Sequence, residues 1–234
     1  MTLYDYINYM LKNTGLYGLF SLPHMGLTEL LIQICEISTQ ELKGKPLVIS
    51  GEYSSQQWLD KMEECGKSSD GVAVVYADGI FDDLPPNIKL YSPSLVIYQF
   101  PQNDGHADKD VVSRLKKFSS EYNIPIILSF YLSDRAWGWD LLYRKPELFD
   151  IALSWNKDNT LLEFKEAITS FTNIVVLHRN HDCDICNRIA YRYKNISHGA
   201  ELSIFNPKRR GTYSVYFDFR CISGFSDNDM LYFD

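Results

Sequence analysis

The segment Ser21-Leu22-Pro23-His24-Met25-Gly26-Leu27-Thr28 sets the chemical question. A loop of the form G-x-x-x-x-G-K-[ST], lying between a strand and a helix, cradles nucleotide phosphates. Backbone N–H groups and the helix N-terminus surround the phosphates, the Lys adds charge, and the hydroxyl binds Mg²⁺. Gly26 and Thr28 fit that form, but Ser21 stands where the first Gly would be and Leu27 where the Lys would be. Leucine supplies no charge. Taken alone, these residues read as a strand-turn-helix corner ahead of an ATP site.

Other groupings invite chemistry with less support. His178, His181, Cys183 and Cys186 crowd into HRNHDCDIC. Cys and His bind zinc, and C-x-x-C is a usual half-site, but a structural site normally draws its second pair from a distant segment. A surface loop with two free thiols is the preferred reading, and no metal is expected. A redox role for the C-x-x-C lacks the strand-helix context it needs. Lys208-Arg209-Arg210 sits in a turn, where it reads either as a nucleic-acid contact or as three solvated charges. Trp137, Trp139 and Tyr143 are more easily placed in a core or interface than stacked on bases. No G-x-S-x-G elbow is present, and the spacing of Asp134, Asp140 and Glu147 marks no catalytic carboxylate pair.

The elements that must carry these residues follow a β-then-α rhythm. Apolar runs predict strands over Leu16 to Phe20, Pro46 to Ser50, Val72 to Tyr76, Leu95 to Gln99, Ile124 to Phe130 and Asn173 to Leu177. Helical spacing covers Thr28 to Leu42, Ser54 or Ser55 to Cys65, Val111 to Tyr122 and Leu161 to Phe171. Ser54 with Gln57 makes a capping box. Two prolines predict a turn over Asp82 to Asn87, and Gln102 to Gly105 reads as a polar loop. Glu201 to Phe205 and Thr212 to Phe219 read as an antiparallel hairpin at the sheet edge. The fold class expected is α/β: a mostly parallel central sheet flanked by helices, with a C-terminal antiparallel hairpin. With no linker or repeat visible, residues 1–234 read as one domain.

Composition agrees with a globular chain. The 234 residues include 45% hydrophobic and 14% aromatic residues, enough for a sizeable core. The formal charge of −7 argues against a general nucleic-acid coat, because neutralising phosphates takes clustered Lys and Arg. No apolar run approaches the roughly 18–20 residues of a membrane helix, and Met1 to Lys12 lacks the layout of a secretory signal. Five irregularly spaced cysteines favour a reduced, cytoplasmic compartment.

A family resemblance is carried by the order of several short blocks. Ser21 to Thr28 is similar to G-R-P-S-M-G-K-T, sharing Pro23, Met25, Gly26 and Thr28. Val48 to Met62 (VISGEYSSQQWLDKM) is similar to F-S-L-E-M-x-x-x-Q-L-x-x-R-M, and Leu95 to Gln99 to the strand L-I-V-I-D-Y. Tyr122 to Ser129 (YNIPIILS) is similar to L-N-V-P-V-V-A-L-S-Q. Arg144 to Ser154 is similar to K-R-P-x-L-S-D-L-R-E-S, and Ala167 to Arg179 to A-I-E-Q-D-A-D-I-V-L-F-I-H-R, with a short insertion near Trp155 to Glu166 between them. Ala200 to Phe219 is similar to A-D-L-I-V-A-K-x-R-N-G-P-T-G. Over about Leu16 to Phe225, the chain resembles the C-terminal RecA-like motor domain of the DnaB-type replicative helicases.

The resemblance implies a RecA-like fold and assigns roles by position. Glu52 falls on the glutamate that orients the attacking water. Tyr98 replaces the Mg²⁺-linked Asp, Phe130 the sensor Gln, and Ala152-Leu153 an Arg-Glu pair. Lys208, Arg210 and Gly211 are nearest to a basic turn that reaches a neighbouring subunit's nucleotide. Ser21, Pro23, Gly26, Leu27, Thr28 and Tyr98 thus mark a degenerate nucleotide site, with Glu52 vestigial. The expectation is a helicase-like domain that has lost its ATPase, without bound ATP, Mg²⁺ or zinc. It would act through protein contacts with itself or an active helicase relative, in a replication setting. Because the first strand starts by about Leu16, no room is left for the helicases' N-terminal domain, and hexamerisation by this chain is not expected. An atypical ATP-binding NTPase and a single-stranded nucleic-acid binder are the alternatives.

Overall fold

Leu16–Ser21 (LYGLFS) forms β1 because every one of its side chains is buried, the signature of an inner strand covered on both faces. The computed structural model describes residues 3–21, 26–42, 44–77, 84–100, 109–132, 151, 167–179, 199–207, 212–218 and 231–232, and the structural statements below concern these residues. β1 pairs in parallel with β5 (Ile126–Tyr131) on one side and β6 (Asn173–Arg179) on the other. β5 pairs with β4 (Leu95–Gln99), β4 with β2 (Pro46–Ser50), and β2 with β3 (Ala73–Tyr76), all in parallel. Beyond β6 the direction alternates through β7 (Gly199–Phe205), β8 (Thr212–Asp218) and β9 (Leu231–Tyr232). The nine-stranded order is β3-β2-β4-β5-β1-β6-β7-β8-β9. The sheet is therefore mostly parallel, and the expected C-terminal hairpin is β7–β8, with β9 adding a further strand outside it.

The helices form where the spacing predicted, with two exceptions. α2 (Leu27–Glu41) buries Leu27, Leu30, Leu31, Ile34, Cys35 and Ile37. It is entered through Gly26 at φ 92°, a left-handed conformation that favours glycine. α3 (Ser55–Glu64) carries the expected capping box: Gln57 N–H donates to Ser54 Oγ at 3.3 Å, and Ser54 N–H to Gln57 Oε1 at 3.0 Å. α5 (Lys109–Tyr122) packs on β1 and β5.

The turn expected over Asp82 to Asn87 is corrected: Leu84–Tyr91 is a helix, α4. Pro85 and Pro86 are its second and third residues, where backbone N–H groups have no intrahelical acceptor to lose. The other exception is α1 (Leu3–Lys12), which the sequence reading did not assign. Its buried Tyr6, Ile7, Met10 and Leu11 recur at helical spacing and pack with α2 over the sheet. The segment read as helical over Leu161 to Phe171 is described only from Ala167 onward. Residues 102–105 and the Trp137 to Tyr143 stretch lie outside the described residues.

The two faces of the central sheet differ chemically. An aromatic row runs across β4, β5 and β1: Tyr98 and Phe100 are 4.9 Å apart, Phe100 and Phe130 6.1 Å, Phe130 and Phe20 4.0 Å, and Phe20 and Phe171 6.4 Å. Strand alternation turns the neighbours Gln99, Ser129 and Tyr131 to the opposite face. Among the described residues, no helix is long and apolar enough to cross a membrane.

Candidate functional site

The polar residues gather at the C-terminal ends of β2, β4 and β5, beside the start of α2. Ligands of open parallel sheets bind at this end. Gln99, the last residue of β4, is almost wholly buried and joins the others together. Its Oε1 accepts from Trp58 Nε1 at 3.0 Å and from Ser50 Oγ at 3.1 Å. Its Nε2 donates to Glu52 Oε2 at 2.8 Å and lies 3.5 Å from Thr28 Oγ1. An indole N–H only donates, so Trp58 fixes which side of the amide is oxygen.

Ser50 shapes the turn that brings Glu52 in. Its hydroxyl accepts from the backbone N–H of Tyr53 at 3.0 Å and of Glu52 at 3.3 Å, and Gly51 N–H reaches the Gln99 carbonyl at 2.8 Å. Burial raises the Glu52 pKa above the usual carboxylate range, opposed by hydrogen bonds from the Tyr53 and Tyr131 hydroxyls and by the charge of Lys61. Tyr53 is pushed up to about 12, first by burial and then by the Glu52 charge. The same causes raise Tyr131. Lys61 Nζ sits 4.8 Å from the centre of the Tyr53 ring.

The expected site residues divide by position. Thr28 and Glu52 meet around Gln99. Ser21 is buried at the end of β1, with its carbonyl accepting from Leu132 N–H at 2.8 Å. Gly26 and Leu27 begin α2, and Leu27 is buried, packed as a core residue. Tyr98 is corrected: its ring joins the aromatic row, and Gln99 is the residue that meets Thr28 and Glu52. The fifth residue of β4, and not its fourth, therefore stands where the resembling strand L-I-V-I-D-Y has its Asp. A polar residue closing an apolar strand was the available signal. Ser50, Tyr53, Trp58 and Tyr131 had no comparable sign in the sequence. Phe130 lies in the aromatic row, on the face away from Glu52.

Pro23 lies outside the described residues, as do Lys208, Arg209, Arg210, His181, Cys183 and Cys186; the backbone of His178 belongs to β6. Among the described residues, no group of His, Cys, Asp and Glu is arranged to hold a metal. The Mg²⁺ position implied by the resemblance does not fit the groups found there. Between the Thr28 and Glu52 oxygens stands an amide nitrogen whose hydrogens point at them, where a cation needs oxygen ligands.

No protein-family model and no curated protein matches the chain. Solved structures do match. A KaiC-like protein from the hyperthermophilic archaeon Pyrococcus horikoshii OT3 superposes with a TM-score of 0.56 at 12% identity, over 94% of this chain and 90% of that one. The ATPase domain of a DnaB-like helicase superposes with a TM-score of 0.54 at 13% identity, over 91% of this chain and 84% of that one. The chain has a RecA-like α/β fold. The similarity to the helicase ATPase domain supports, at the level of fold, the DnaB-type resemblance read from the sequence. In this RecA-like chain, the Gln99 cluster lies beside the start of α2, the helix that follows the P-loop-like segment.

Proposed function

We propose that this chain is a catalytically degenerate, DnaB-helicase-like domain that does not hydrolyse ATP and acts through protein contacts. The observation that carries the reading is Gln99 between Thr28 and Glu52. Phosphoryl transfer relies on a held cation and fixed positive charge to stabilise the transferring group. A carboxamide donor at the cation's place, with buried Leu27 at the place of the lysine, leaves both contributions without a source among the described residues. The partner is a second copy of this chain or an active helicase relative, in a replication-linked, cytoplasmic setting, with residues 1–234 as one domain.

A second reading, an atypical ATP-binding NTPase, draws on Thr28 and Glu52 having stayed together in one cluster. Titration with labelled ATP and Mg²⁺, followed by a turnover assay, separates the two. The expected result is no turnover and no micromolar binding. Micromolar binding with turnover abolished by Glu52→Gln would overturn the non-hydrolysing reading.

A further inference from the structure

We propose that the Gln99 carboxamide takes over the linking role of a divalent cation, locking α2, α3 and the β2–α3 turn together without a metal. The proposal rests on the metal-free reading of the site given above, and its test is a stability measurement that stands apart from turnover.

The valences of the amide support it. Oε1 has two acceptor positions, and both are used, by Trp58 from α3 and Ser50 from β2. Nε2 has two hydrogens. One goes to Glu52 in the turn after β2, and the other faces Thr28 in the first turn of α2. One buried side chain on β4 thus meets groups from three separate pieces of chain. The nitrogen end, which carries partial positive charge, is presented to a carboxylate and a hydroxyl, the kind of oxygens a hard cation draws together. A carboxylate at the same point would face Glu52 at hydrogen-bonding distance and require a cation between them. The amide bridges the same oxygens with no charge of its own, and it cannot be lost to a chelator.

Gln99→Glu tests this, because it keeps the shape and the Oε1 acceptor while turning the donor end into an oxygen. At mildly alkaline pH without metal, the variant is expected to melt roughly 5–10 °C below wild type. Mg²⁺ should recover much of that loss while leaving the wild-type melting temperature unchanged. A side chain that only filled space would show no such metal dependence. The second variant adds Glu52→Gln to Gln99→Glu, so that the amide and the carboxylate exchange places. It should regain stability without metal, since the donor then comes from position 52. Failure of Gln99→Glu to fold without metal counts as the expected loss if the double variant folds. Three results would overturn the proposal: a wild type stabilised by Mg²⁺, a Gln99→Glu variant as stable as wild type without metal, or a double variant no better than the single one.

Discussion

Glu52 is a half-buried carboxylate held by neutral donors, so its charge works against the fold. Burial sets the direction of its shift, which is upward. At low pH the native and unfolded chains both hold its proton. As pH rises through the ordinary carboxylate range, the unfolded chain releases that proton first. The native state is then penalised until its own raised pKa is passed. This group therefore makes wild-type stability fall with rising pH across that window. Glu52→Gln removes the term: the variant should match wild type at acid pH and exceed it at neutral pH. Urea denaturation at several pH values measures the difference. A variant that loses ground to wild type as pH rises would show that the Tyr53, Tyr131 and Gln99 hydrogen bonds outweigh burial.

Within the elements, β1 shows how closely the sheet is packed. A Cβ placed on Gly18 would come within 2.7 Å of Phe20 Cε2 and 3.1 Å of Phe171 Cε1. Gly18→Ala must push two aromatic rings of the row and should cost about 1–3 kcal/mol in urea unfolding. Adding Phe171→Leu should recover part of that loss, because the two sites are in contact. The strands around Gly18 were legible in the sequence because inner parallel strands are unbroken apolar runs. The helices over α2, α3 and α5 were legible from their spacing. Pro85 and Pro86 misled because proline breaks the interior of a helix and not its first turn. Tyr98 misled because alternation along a strand turns adjacent residues to opposite faces, and the site needed the next residue. The hydrogen bonds of Trp58 and Ser50 to Gln99 span distant segments, and no local pattern announces them.

Across the whole molecule, stability should be graded by position in the sheet. β1, β4 and β5 are inner strands with paired neighbours on both sides. β3 is an edge strand whose residues are only partly covered, and Tyr76 is 52% exposed. Native-state hydrogen exchange should find the slowest amides in β1, β4 and β5 and faster exchange in β3. Equal protection of β3 and β1 would contradict that grading. The central place of β1 also bears on how the chain is made. Gly18 pairs with Leu128 on one side and Ile174 on the other, so the first strand synthesised has both partners far downstream. At roughly 5–20 residues per second, β1 leaves the ribosome on the order of ten seconds before β5 exists to receive it. Through that interval its apolar run depends on α1, α2 or a chaperone for cover, and the parallel core closes late in synthesis.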